Sequence, residues 1–194
     1  MKDYSEAFYR LTMESVFQEV FDIIKRNSNG TAWLIGGAVY RNLAHLLYGV
    51  DKAPHDFDFI VKNPNPRIEL PSGWERRENE YGNPKFVNDN CEIDFVPLTT
   101  VHSIVRRGLE PSFPNYLTGT PLTVQAIGYN ILTQRLEGDV GLNAVRNQTV
   151  GVNNLEQAKI YEGKKGKPIQ QIIREKAESL GFKPIYRKFI TNSS

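Results

Sequence analysis

Two aspartates, Asp56 and Asp58, stand one residue apart in the apolar run "APHDFDFIV" at residues 53–61. The segment from His55 to Val61 alternates polar and apolar residues, the period of a strand. Residues i and i+2 of a strand share a face, so the two carboxylates project together while Phe57 and Phe59 face a core. Their Cα atoms would lie about 6.6 Å apart at about 3.3 Å per residue. That spacing suits two carboxylates bridging divalent ions about 3.5–4 Å apart. A third acid, Asp94, lies in "CEIDFVPL", where it alternates with Ile93 and Phe95; Glu92 reads as a solvated strand residue rather than a ligand. Three acids from neighbouring strands repel one another without a cation, and magnesium favours a few carboxylates together with substrate phosphates. The plain alternative is that the acids line the solvent face of an antiparallel sheet.

Gly36 and Gly37 end the strand-like run "TAWLIGG" and open a helical segment. Adjacent glycines let backbone approach a ligand, and a helix N-terminus attracts phosphate. A strand-to-helix turn also uses glycine for geometry alone. A phosphate cradle and a metal pair on neighbouring strands together make a nucleoside triphosphate site.

These residues need elements to hold them. Phe8, Leu11, Val16, Phe17, Val20, Phe21 and Ile24 predict one amphipathic helix over 4–26. "AVYRNLAHLLYG" predicts a second helix, stopped by Gly49. "NPKFV" and "CEIDFVPL", joined by "NDN", read as a hairpin. "TTVHSIVRRGLEP" predicts a short helix and "LTVQAIGYNIL" a longer one. Residues 133–154 are turn-rich, with a short strand near 149–152. "NLEQAKIYEG" and "KPIQQIIREKAESLG" predict two tail helices, the second capped by Gly181, and "FKPIYRKFI" closes the chain. The order describes a sheet with helices packed on it.

At 194 residues and 40% hydrophobic, the chain suffices for one core, or one core with a small appendage. The net charge is +2, but residues 159–194 carry nine Lys or Arg against three acids. An acidic body with a basic tail fits a phosphate-rich partner or a solvated helical tail. Tyr161, Tyr186 and Phe189 interleave the basic residues, a mixture that suits RNA; Tyr161 reads as core. His45, His55 and His102 show no ligand spacing, and His55 reads as a loop residue. The single cysteine, Cys91, excludes an internal disulfide. "MKDYSEAFYR" has no apolar signal core, and no run approaches the roughly 18 apolar residues of a membrane span. A cytoplasmic protein without membrane contact is expected.

Taken together, "LIGGAVYRNLAHLLYG", "HDFDFIV" and "EIDFVPL" resemble the nucleotidyltransferase superfamily that includes DNA polymerase beta. More closely, they are similar to the head domain of class II CCA-adding enzymes and bacterial poly(A) polymerases. "LTVQAIGYNILTQRLEGDVGLNAVRNQTVGV" resembles the family's F-T-I-N-A stretch, its Gly-Asp region and an Arg before Val-Gly. The resemblance covers roughly residues 30–155. It implies an α+β fold with a small mixed sheet flanked by helices. An N-terminal helix (1–29) would pack on a head-like domain (30–155), followed by a basic helical extension (156–194).

The resemblance also implies transfer of a nucleoside monophosphate from an NTP to an acceptor hydroxyl by a two-metal mechanism. Two Mg ions, or Mn in their place, would be held by Asp56, Asp58 and Asp94 as catalytic and metal-binding residues. Gly36 and Gly37 would bind the triphosphate, and the acceptor would be tRNA or another RNA. Tyr40 and Arg41 stand where the family has Arg-Asp. Arg41 either takes over a phosphate contact as a substrate-binding residue or lies on the outer helix face. Gly119, Thr120 and Pro121 stand where the family has Arg-Arg-Asp, and its base-selecting motif has no counterpart. A catalytically degenerate nucleotide- or RNA-binding module is the alternative.

Overall fold

Strand alternation sorts the side chains of this chain onto two unlike sheet faces. The computed structural model describes residues 4–53 and 55–186. Phe189, singled out above, and Arg187 and Lys188, two of the nine basic residues counted in the tail, lie outside them. The chain opens with α1 (Ser5–Leu11) and α2 (Ser15–Arg26), then β1 (Ala32–Ile35), α3 (Gly37–Tyr48) and β2 (Asp56–Val61). Next come β3 (Glu75–Glu78), β4 (Pro84–Val87), β5 (Glu92–Pro97), α4 (His102–Arg106) and α5 (Phe113–Leu117). Then follow β6 (Gly128–Asn130), β7 (Arg135–Glu137), α6 (Asp139–Arg146), β8 (Thr149–Val150), α7 (Leu155–Lys165), α8 (Ile169–Glu178) and β9 (Lys183–Pro184). Seven strands form one mixed sheet in the order β3-β4-β5-β2-β1-β6-β7; β8 and β9 pair separately. β2 and β5 are parallel, and the other pairs of the large sheet are antiparallel. The α+β class expected from the sequence is the one observed.

One face of the sheet carries Leu34, Phe57, Phe59, Phe86, Ile93, Phe95 and Tyr129, all at most 1% exposed. Against it pack α1, α2 and α3 through Phe8, Phe17, Phe21, Val39 and Leu43. Each buried aromatic contributes roughly 1.5–3 kcal/mol of hydrophobic stabilisation. Ile169, Ile172, Ile173 and Ala177 of α8 join this same core. Cys91 is buried in it, and burial pushes its thiol up to about 11. Trp74, at the rim, donates from its indole to Glu19 at 2.9 Å.

The other face divides along the strands. Trp33, Ile35 and Ile60 meet Leu98, Val101, Ile104 and Phe113 in a smaller cluster under α4 and α5. Trp33 stacks on Phe113 at 4.4 Å between ring centroids and donates to Glu137 at 2.9 Å. Continuing along β2 on this face, Ile60 gives way to Asp58 and then Asp56. The apolar cover thus ends where the carboxylates begin.

The structure departs from the sequence-based expectations at residues 4–26 and 122–132, places β7 and the helix α6 in the turn-rich stretch 133–154, and adds a strand at Glu75–Glu78 where none was expected. Residues 4–26 form two helices. Phe17 follows Phe8 by nine residues, about two and a half turns at 3.6 per turn, so one straight helix would aim them in opposite directions. A break at Thr12–Glu14 turns both inward; the Gln18 side chain closes it by donating to the Thr12 carbonyl at 2.6 Å. The segment "LTVQAIGYNIL" is a 3-10 turn, Thr123–Gln125, followed by β6 rather than a helix. Ile127, Tyr129 and Ile131 alternate into the main core, and β6 occupies the free edge of β1. Gly128 is needed there, because a Cβ would sit 2.5 Å from Phe113 Cζ. Finally, Glu75–Glu78 forms the edge strand β3 although all four side chains are exposed and charged. Charge is a common way to blunt a sheet edge. Among the described residues no helix is long and apolar enough to cross a membrane.

Candidate active site

The register of β2 against β5 brings the carboxylates together. In the parallel pair, Asp58 lies beside Asp94 and Asp56 beside Glu92. Asp56, Asp58 and Asp94 each offer an oxygen within 4.8 Å of the others. All three project from the sheet face opposite the main core, as the alternation of "HDFDFIV" and "EIDF" predicts. Glu92 points along this face too but is drawn away into an ion pair with Lys85 at 2.5 Å.

Asp58 carries the strain of the cluster. Burial, then the charges of Asp56 and Asp94, push its carboxyl up to about 7 from an ordinary 3.8, with Lys85 pulling the other way. Asp56 is also raised, by desolvation and by Asp94. Asp94 is oriented by Asn79, whose side-chain amide donates to Oδ1 at 2.9 Å. The same Asn79 accepts from the N–H groups of Tyr81 and Asn83, so the β3–β4 turn and the third carboxylate are fixed together. Such a set suits hard divalent cations, which take carboxylate oxygens.

Gly36 stands against Asp58. Its φ of 67° and ψ of −150° are open to glycine and strained for other residues. A Cβ on it would lie 2.6 Å from Asp58 Oδ2. Gly37 then begins α3, a helix whose first N–H groups have no intrahelical partner. The turn therefore sets a helix end suited to anions beside a carboxylate cluster suited to cations.

Between this turn and the tail lies a cleft of about 400 Å³ that includes Gly36, Asp58, Tyr81, His102, Tyr116 and Lys164. Gly119, Thr120 and Pro121 line it as well and bring no charge. Lys164 comes from α7 instead; it donates to the Tyr81 hydroxyl at 2.8 Å and pairs with Glu80. Burial and the charge of Asp58 raise the Tyr116 phenol far above its ordinary range, keeping it protonated.

The structure thus gathers Asp56, Asp58, Asp94, Gly36 and Gly37. Arg41 it places elsewhere: on the outer face of α3, hydrogen-bonded to Ser179 through its main-chain oxygen at 3.4 Å and its Oγ at 3.2 Å. His55 is exposed and stacks on Phe57, and His45 bonds the Val50 carbonyl at 2.6 Å. Lys85, Asn79, Tyr116 and Lys164 were not singled out from the sequence. Lys85 alone left a trace, since alternation with Phe86 in "NPKFV" aims it to the polar face opposite Asp94.

No protein-family model matches the sequence, and no curated protein matches it. Solved structures do match in fold. A CCA-adding enzyme of Bacillus stearothermophilus in complex with CTP aligns with a TM-score of 0.57 at 17% identity, over 89% of this chain and 41% of that one. A tRNA nucleotidyltransferase with a primer tRNA and an incoming ATP analogue aligns at 0.52 and 20%, over 80% and 43%. A tRNA-processing enzyme with CTP aligns at 0.54 and 19%, over 80% and 40%. The chain therefore spans about two fifths of the length of the structures it matches. At these identities the likeness is one of fold: the chain has the mixed-sheet nucleotidyltransferase fold found in CCA-adding enzymes.

Proposed function

We propose that this protein is a nucleotidyltransferase, moving a nucleoside monophosphate from an NTP to an acceptor hydroxyl, with tRNA or another RNA as the acceptor. The observation that carries the reading is the convergence of Asp56, Asp58 and Asp94 within 4.8 Å beside the Gly36–Gly37 helix start. The solved structures of this fold include complexes with CTP and with a primer tRNA plus an ATP analogue, which supports the choice of substrates.

The three aspartates would hold divalent cations, magnesium in the first instance, which when bound offset phosphate charge and lower the pKa of an acceptor hydroxyl. Holding such cations would require Asp58 in its ionised form, which the charge of Lys85 favours. Asn79 holds Asp94 in position. The first N–H groups of α3 bind the β- and γ-phosphates, and the absent side chain of Gly36 lets them lie close to Asp58. Lys164 and Tyr116 stand across the cleft as a cation and a hydroxyl donor toward the nucleotide.

The test is transfer of label from each radiolabelled NTP to total tRNA in the presence of Mg, repeated with Asp56→Ala and Asp58→Ala. Transfer by the wild type and its loss in both variants is expected; transfer that survives both substitutions refutes the assignment. A second reading, nucleotide or RNA binding without transfer, is favoured by one observation: the uncharged Gly119–Thr120–Pro121 wall. It predicts thermal stabilisation by Mg and NTP with no pyrophosphate released under any acceptor.

A further inference from the structure

A second concavity lies on the other side of Tyr161. This hollow of about 380 Å³, between α3, α7 and α8, is bordered by Arg41, Lys165, Lys167, Lys176 and a single carboxylate, Glu175. Glu175 is already saturated: Lys167 bonds both its oxygens at 2.9 and 3.0 Å, and Gln171 bonds it at 2.8 Å. The remaining cations face the hollow without an acid opposite. Each is also held. Arg41 spends two of its N–H donors on Ser179, out of five on a guanidinium. Lys176 donates to the Tyr40 hydroxyl at 3.0 Å, and Lys165 lies 5.7 Å over the Tyr161 ring.

Fixed cations with an aromatic wall suit a single-stranded nucleic acid, whose phosphates take the charges and whose bases take the ring. Tyr161 borders this hollow and the cleft alike. A strand laid along the cations is therefore led past Tyr161 toward the aspartates. Lys165, Lys167 and Lys176 come from one short basic stretch, on α7, the α7–α8 connection and α8, and the fold brings Arg41 of α3 beside them.

We infer that the hollow between α3, α7 and α8 is a phosphodiester-backbone site for single-stranded RNA, gripped by Arg41, Lys165 and Lys176. The course of the strand's end into the cleft rests on the nucleotidyl-transfer reading; the hollow itself does not.

The experiment compares the full-length wild type with Arg41→Gln/Lys165→Gln. A short labelled single-stranded RNA is bound at salt concentrations between about 50 and 200 mM, where each phosphate contact contributes about 0.7 to the log–log salt slope. The expected result is a slope shallower by about 1.4 and affinity weaker by on the order of tenfold at the low-salt end. Stabilisation of the double variant by Mg and NTP stays at the wild-type level, because neither side chain lines the cleft. Lys165→Gln alone, at an exposed position, carries the test with half the slope change should the double variant fail to fold. An unchanged affinity and slope overturns the proposal, as does a wild type that binds no RNA. Loss of pyrophosphate binding with RNA binding intact also overturns it, assigning the hollow to free phosphates. Salt-sensitive RNA binding through these residues in a protein that no NTP stabilises keeps the hollow and removes the transfer reading.

Discussion

Replacing Asp58 by Asn should stabilise the metal-free protein while removing its response to Mg and NTP. Folding brings the Asp58 carboxyl from 3.8 up to about 7. At roughly 1.4 kcal/mol per pH unit, holding it ionised costs about 4 kcal/mol. The folded state binds the proton more tightly than the unfolded state. Stability from this group is therefore full below pH 3.8 and lost as pH rises through about 7. Asparagine has the same shape and no charge. Allowing for imperfect hydrogen bonding of the new amide, about half the cost should be recovered above about pH 8. In a chain of this size that is a rise in Tm of about 4–8 °C. The assay is thermal or urea unfolding in chelator across the pH range. The gain should shrink toward acid, where Asp58 is itself neutral. With Mg and an NTP added, the wild type should gain stability and the variant should not. A variant no more stable than wild type at alkaline pH, with the same pH profile, refutes the argument that Asp58 is strained by burial and its neighbours.

Three further outcomes follow from the same geometry. Gly36→Ala should lose roughly 1–3 kcal/mol in a urea melt from its φ and ψ alone; the clash with Asp58 Oδ2 should also abolish stabilisation by Mg and NTP. Lys85→Met removes the cation that partly offsets the upward push on Asp56 and Asp58. The pH midpoint of Mg-dependent stabilisation, followed by thermal shift, should move upward. Ile173→Ala, at a position 2% exposed in α8, should cost about 2–5 kcal/mol. Urea unfolding should then show one transition shifted as a whole, because α8 shares the main core.

The central site was legible because its signals are local. Asp56 and Asp58 declare their common face by two-residue spacing, and Asp94 does the same between Ile93 and Phe95. The parallel pairing of β2 with β5, which strand period alone does not dictate, completes the set. What escaped depends on contacts distant in sequence. Asn79 reaches Asp94 only because the β3–β4 turn folds over it, and Lys164 reaches the cleft from the far end of the chain. The helix expected at residues 122–132 failed for a related reason: Ile127, Tyr129 and Ile131 carry a strand period, and β1 offered an open edge. The break after Leu11 was readable in principle, since Phe8 and Phe17 lie on opposite sides of any single helix. Arg41 shows the limit of a motif: its helix stands where a phosphate-binding helix should, yet the side chain is turned to Ser179.

The two tryptophans give the molecule a built-in optical contrast. Trp33 sits flat on Phe113 on the carboxylate side of the sheet, while Trp74 is bonded to Glu19 at the rim of the opposite core. Each indole therefore watches a different half of the protein. In Trp74→Phe, the remaining emission would come from a chromophore in the same apolar cluster as Ile35, a residue of the cleft wall. Nucleotide entry could then be followed in real time by intrinsic fluorescence, with no label attached. The buried thiol of Cys91 leaves the surface free for one engineered cysteine, so a second dye can be placed at will and paired with Trp33 for energy transfer.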